Sequence, residues 1–270
     1  MFFSVSHIIY MLIPLFLVTA LFFIFRNKSM KTKKLAVFVI ALLNTLQHIF
    51  KAYLYPQYFG QGFGAINTAY NMCALLILIS PIVIIVGSEL WQNFMFYVGT
   101  VAGFSSILTT YWLDSMMSEQ IRFVICHGLL FISSFLPLLL GIYRVNYRKF
   151  WRLPFVFYGC LMILIVNNII NFTLGIAGNI GDMTLYEFLY IENPCWSMHP
   201  PHDYPFIEAL ISPLTPSAFL ASKGGVDAPI LWYAFPMFIL IGAGALFFGI
   251  LLDFKRFLKD VQALFHKMFG

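Results

Sequence analysis

The sequence predicts an all-helical, polytopic membrane protein of about seven transmembrane helices, with its N-terminus outside and its C-terminus inside. Three observations predict it. Of 270 residues, 61% are hydrophobic and only 10% charged, with a mean hydropathy of +0.86. The apolar residues gather into seven separate stretches, and most of the Lys and Arg residues fall into three short segments between or after them. A soluble domain carries far more charge than this.

A spanning helix needs ~20 mostly apolar residues. The candidate stretches lie at 8–25, 35–54, 70–86, 93–112, 121–142, 153–174 and 230–251. The first has no charged region before it and no small-residue cleavage site after it, so it reads as a retained helix and not a removed signal peptide.

Orientation follows the basic residues. Arg26, Lys28, Lys31, Lys33 and Lys34 follow span one; Arg144, Arg148, Lys149 and Arg152 follow span five; Lys255, Arg256, Lys259 and Lys267 follow span seven. Alternation puts all three segments on one side, the cytoplasmic one. The 87–92 loop, also expected there, carries only Glu89 and does not oppose the bias.

Residues 1–252 therefore form one transmembrane domain with a long external connection at 175–229, and 253–270 form a cytoplasmic tail. That tail, "DFKRFLKDVQALFHKMFG", places Phe254, Phe257, Leu258, Val261, Leu264 and Phe265 on one side of a helix, suited to lying on the membrane surface. The net charge of +5 reads as contact with anionic lipid, and no nucleic-acid patch is present. Within the external connection, "FIEALISPLTPSAFLAS" is apolar enough to dip into the interface, although Pro213 and Pro216 argue against a regular span. No internal repeat of the transporter kind is visible.

The orientation allows polar residues to be placed by depth. At 1.5 Å per helical residue, Cys73 lies ~5 Å, and His127 and His48 ~9 Å, below the outer ends of their spans. Asn168 in span six is at a similar level. In span two, Asn44, Gln47, His48 and Lys51 share one helical face. In span six, Asn167 and Asn171 share another, with Asn168 beside them. Arg122 lies one turn above Cys126 and His127. Ionisable groups cost roughly 2.5–3.5 kcal/mol at the membrane centre and normally face a cavity, so the cluster predicts a polar pocket open to the outer leaflet.

A thiol needs a base to become a nucleophile, and an imidazole supplies one. A helix N-terminus also favours thiolate through its dipole and free N–H groups. Cys73 sits where that help is available, and the same amides, with Asn71 or the span-six asparagines, would hold an oxyanion. The carbonyl at that depth of a bilayer is the ester of a phospholipid acyl chain. Plainer roles compete: a buried cysteine as apolar filler, asparagines bonding helix to helix, Lys51 snorkelling to the interface and Arg122 as an interface anchor.

"YNMCALLILI", followed by "FVICHGLLFI" and then "VNNIINFTLG", with "LNTLQHIF" upstream, resembles the YwaF family of integral membrane proteins over about residues 35–190. That family is related to an animal membrane acyltransferase, which uses a Cys and a His to move fatty acyl groups between glycerophospholipids in ether-lipid remodelling. The resemblance implies Cys73 as nucleophile, His127 as its partner, His48 at the span-two position, and Asn167 or Asn168 at the span-six position.

The expected function is a cell-membrane acyltransferase or acyl hydrolase, with phospholipid and lysophospholipid as partners and no metal or soluble cofactor. Cys73 and His127 are its catalytic pair; His48, Asn71, Asn167 and Asn168 orient groups or bind substrate, and Arg122 and Lys51 attract phosphate. The alternative is a transporter or lipid-binding protein without covalent chemistry, disfavoured by the apolar inner half of the spans. A third reading is a metal site, either in "CWSMHPPHD" through Cys195, His199, His202 and Asp203 or across His48, Cys73 and His127. Cys195 is also a conceivable disulfide partner for Cys73. Walker, Rossmann and protein kinase signatures are absent.

Overall fold

The computed structural model describes residues 5–58, 63–108, 117–177, 181–192 and 234–269, with positions 209 and 213 besides. Among them there is no strand. The helices are α1 (Val5–Phe25), α2 (Met30–Ile49), α3 (Met72–Val86), α4 (Glu89–Phe94), α5 (Thr100–Leu108), α6 (Met117–Leu139), α7 (Leu153–Thr173), α8 (Leu185–Glu192), α9 (Ala234–Leu252) and α10 (Phe254–Phe269). A single turn, Lys51–Leu54, continues from α2, and a π-helical turn, Met95–Gly99, joins α4 to α5.

Every apolar stretch read from the sequence therefore contains a helix, but not every helix has the length to cross a membrane alone. His7–Phe25, Ser118–Leu139 and Tyr147–Thr173 do, and Phe238–Leu252 with Phe254–Met268, bent by 97°, gives a fourth if counted as one span. The reasons for the shortfall are local. α2 carries Lys31, Lys33 and Lys34 in its first turns; α3 has only 15 residues. The π turn interrupts the helix running from 89 to 108. Large apolar side chains such as Phe16, Phe23, Ile85, Ile163 and Phe247 are exposed. Such an apolar exterior, on helices of this length, is that of a membrane protein.

Two compact units emerge, one of residues 1–143 with 160–195, the other of 144–159 with 196–270. The first holds the candidate site. Its core is Val18, Val37, Phe131, Ile132, Leu136 and Leu140, bringing α1 and α2 onto α6. Contact through α1 runs along one narrow seam: among its residues whose side chains are described, His7, Pro14 and Val18 are buried, and Leu21, Phe22 and Phe25 are partly buried against that core.

Polar bonds and small residues fix the other helix pairs. Asn44 Nδ2 donates to the Cys126 carbonyl at 3.0 Å, joining α2 to α6, and Thr45 Oγ1 donates to the Ile77 carbonyl at 2.7 Å, joining α2 to α3. α5 meets α6 through "GTVAG", a pair of glycines four apart that allows close backbone approach. A Cβ on Gly103 would lie 2.6 Å from Phe131 N and 2.8 Å from the His127 carbonyl oxygen.

In the second unit, Phe238 of α9 packs on Phe155 and Tyr158 with ring centroids 5.3 and 6.0 Å away. α10 is fastened to the 147–152 turn by Asp260, which accepts from Arg148 Nε at 2.7 Å and also from Arg148 Nη2 and the Tyr147 hydroxyl. These bonds hold the Asp260 carboxyl at about 2, below its ordinary 3.8, the Arg148 guanidinium contributing most. Phe254, Leu258, Leu264, Phe265 and Met268 of α10 remain exposed.

Candidate active site

The first turn of α3 is built by the residue before it. Asn71, extended at φ −142° and ψ 174°, accepts the Ala74 N–H through Oδ1 at 2.9 Å, and its carbonyl accepts from Leu75 N. Asparagine is among the preferred residues for this position because its side chain satisfies an N–H that the helix leaves without a carbonyl. Asn71 thus lies just outside the helix as its cap, and Cys73 is the second residue within it. Pro81 is accommodated later in α3, which ends at Gly87 in the left-handed region (φ 67°).

Cys73 is half-buried and a free thiol, as are the buried Cys126 and Cys160. Its Sγ lies 4.0 Å from Ser106 Oγ of α5. One turn earlier on the same helix, Gly103 abuts the backbone of α6 at His127. On α5, then, Ser106 meets the Cys73 thiol and Gly103 meets the His127 backbone; Cys73 and His127 share no hydrogen bond. His127 Nδ1 is 3.0 Å from the Phe123 carbonyl, which can only accept, so Nδ1 carries the proton and Nε2 has the free lone pair. The ring also packs against Phe123, with centroids 4.0 Å apart.

The remaining expected site residues surround the segment 63–71 that leads into α3. Thr68 is the node: Asn167 Nδ2 and Asn171 Nδ2 each donate to its Oγ1 at 3.0 Å, and that hydroxyl donates to the Ala65 carbonyl at 2.7 Å. Asn168 Nδ2 donates to the carbonyls of Tyr70 at 3.1 Å and Leu164 at 2.9 Å. His48 Nε2 donates to the Thr68 carbonyl at 3.1 Å, and its ring stacks on Tyr70 with centroids 6.4 Å apart. The asparagines and His48 therefore hold the approach to Cys73 in place.

The polar face of α2 is taken up in the same way. Gln47 Nε2 donates to Asn44 Oδ1 at 2.9 Å and accepts from the Tyr55 hydroxyl at 2.9 Å. Lys51, which the sequence places near enough to the membrane edge to snorkel, is instead 2% exposed. Its ammonium donates to the Ile66 carbonyl and stands over the Tyr70 ring at 5.2 Å. Nor is Arg122 a lone interface anchor: Glu119 accepts from its Nε at 2.9 Å and from its Nη2, and also from the Tyr58 hydroxyl at 3.1 Å.

Two features were missed from the sequence. Ser106 has no signature within an apolar run, and only the fold brings it beside the thiol. The close approach at Gly103 did have a signal, the four-residue spacing of glycines in "GTVAG". Among the described residues no group of three or more His, Cys, Asp or Glu is placed to hold a metal ion, and His48, Cys73 and His127 do not form one. Cys195, His199, His202 and Asp203, with most of the external connection, lie outside the described residues.

No curated protein and no solved structure matches the chain. The model of the TMEM164 family matches residues 2–194. The relation to an animal family read from the motifs is supported at that level, whereas the YwaF name is not the one that matches. The matched span is well over half of the chain and takes in every residue placed at the site, from His48 to Asn171, so the protein belongs to the TMEM164 family.

Proposed function

We propose that the protein is a seven-helix enzyme of the cell membrane that transfers or hydrolyses the acyl chain of a glycerophospholipid through a thioester on Cys73. In this reading the N-terminus is outside, residues 253–270 form a cytoplasmic tail, and the pocket opens to the outer leaflet. The observation that supports the proposal is a half-buried thiol in the first turn of a helix capped by Asn71, beside which the reading sets His127 of α6, whose free lone pair is on Nε2.

The chemistry is as follows. His127 Nε2 takes the Cys73 proton, and the thiolate attacks the ester carbonyl carbon, forming the S–C bond. The oxyanion that develops is met by the N–H groups of the first turn of α3 that Asn71 does not occupy, a site already favourable to negative charge. As the ester C–O bond breaks, the imidazolium returns its proton to the leaving lysolipid oxygen. A lysolipid hydroxyl or water then gives its proton to His127, attacks the thioester and expels the Cys73 sulfur, which is reprotonated. His48, Asn167 and Asn168 position the segment that delivers Cys73. In the structure Cys73 and His127 are not bonded, and catalytic bonds of this kind commonly close only with substrate present.

The test is intact mass and peptide mapping of the purified protein after incubation with phospholipid and lysophospholipid. A hydroxylamine-labile acyl adduct is expected on Cys73, absent from Cys73→Ala, retained in Cys126→Ala and slowed in His127→Ala. No adduct and no lysolipid-dependent acyl exchange in well-folded protein would overturn the proposal in favour of a pocket that binds or transports without covalent chemistry.

A further inference from the structure

The cationic residues beside the site are not equivalent. Arg122 is neutralised by Glu119, whose two carboxylate oxygens accept from its Nε and Nη2 along one edge of the guanidinium. Lys51 is more deeply buried and has no carboxylate within ion-pair distance among the described residues. One of its three N–H donors goes to the Ile66 carbonyl. It also faces two rings, Tyr70 at 5.2 Å and Tyr58 at 6.0 Å; Arg122 stands over Tyr58 as well, at 5.6 Å. Lys51 and Arg122 thus bring two positive charges to the two tyrosines, and Glu119 one negative charge.

A buried ammonium without a counter-ion is costly, and a protein retains one where an anion comes to it. Among the described residues one positive charge is left over in this group, which matches an anion of a single negative charge. Phosphomonoesters carry −1.5 to −2 near neutrality, whereas a phosphodiester carries one. The position is also informative: Tyr70, whose ring lies under the ammonium, is three residues from Cys73 and is held by Asn168.

We infer that Lys51 seats the phosphodiester of a glycerophospholipid, with Tyr58 and Tyr70 as its walls and the Arg122–Glu119 pair as a neutral rim. The inference rests on the acyl-transfer reading for the identity of the lipid and names the headgroup class that this site selects. Phosphatidate, with its phosphomonoester, and diacylglycerol, with no phosphate, are poor occupants.

The experiment uses the full chain as Cys73→Ala, which binds without reacting, in nanodiscs of a neutral carrier lipid. Phosphatidylethanolamine, phosphatidic acid and diacylglycerol of identical acyl chains are compared by native mass spectrometry, with inorganic phosphate and glycerophosphoethanolamine as soluble competitors. Phosphatidylethanolamine is expected to be retained over the other two, with displacement by the soluble diester. On this inference Lys51→Met loses about tenfold in phosphatidylethanolamine binding while Lys51→Arg keeps most of it. Equal retention of diacylglycerol by the protein that keeps Lys51 overturns the inference without any Lys51 variant having to fold. So does preferential retention of phosphatidic acid, or displacement by inorganic phosphate alone. The two readings fail separately: selective binding without an acyl adduct in the Cys73 protein sinks the enzyme and leaves the phosphate seat. An adduct formed as readily from diacylglycerol does the reverse.

Discussion

Gly103 of α5 lies so close to His127 of α6 that a methyl group on Gly103 would reach within 2.8 Å of the His127 carbonyl oxygen. The opposing atoms are backbone and cannot rotate away. Gly103→Ala is therefore expected to force the helices apart, costing about 1–3 kcal/mol, and to lower the thermal midpoint in detergent. Gly159→Ala, where an added Cβ meets nothing within 4 Å, is the matched control and should leave the midpoint level or slightly raised.

Asn71 gives a second prediction. Asn71→Ala removes the cap from Ala74 N–H and should cost about 0.5–2 kcal/mol, whereas Asn71→Ser retains most of the bond. If the first turn also prepares Cys73, alkylation of that thiol slows in Asn71→Ala and stays near the original rate in Asn71→Ser. Equal alkylation rates in all three proteins would limit Asn71 to a structural cap.

Thr68→Val would leave Asn167 and Asn171 without the hydroxyl that both donate to. An unsatisfied buried donor costs about 1–3 kcal/mol, so Thr68→Val should be clearly less stable than Thr68→Ser. Protection of the 63–71 segment against hydrogen exchange should fall in the valine variant only.

Asp260, which the proposed topology sets outside the membrane, gives a pH prediction. Its carboxyl is held at about 2 against an ordinary 3.8. A depressed acid contributes its share above the higher value and loses it as pH falls through the lower one. The docking of α10 on the 147–152 turn should therefore weaken from about pH 4 down through about pH 2. Both partners reach solvent, with side chains 58% and 31% accessible, so the effect is local and salt-sensitive. Asp260→Asn should reproduce it at neutral pH as faster tryptic cleavage at Lys255 and Lys259, with the thermal midpoint of the whole chain unmoved.

The sequence made the helices legible because apolar runs leave few alternatives, and the depth argument put Cys73, His127, His48 and Asn168 at one level; all of them belong to the same compact unit. It misjudged what the polar groups do to each other. Lys51 was read by its distance from the span end, but whether a long side chain reaches the interface depends on what covers it, and the 63–71 segment covers it. Arg122 and Glu119 are three residues apart, a spacing that signals a pair once the helix is known to begin at Met117 and not near 121. Ser106 became visible only when α5 was laid against α3, since a hydroxyl in a membrane helix is ordinary by composition.

The narrow seam of α1 has a consequence for the membrane around it. At 1.5 Å per residue its 21 residues span about 31 Å, close to the ~30 Å hydrocarbon thickness of a bilayer. Because most of its circumference faces away from the neighbouring helices, it can tilt to absorb a change in thickness about the seam where His7 meets the Ile107 carbonyl and Val18 enters the core. In a thinner or thicker bilayer, α1 would then act as a compliant fender, insulating the helices behind it from mechanical strain in the surrounding lipid.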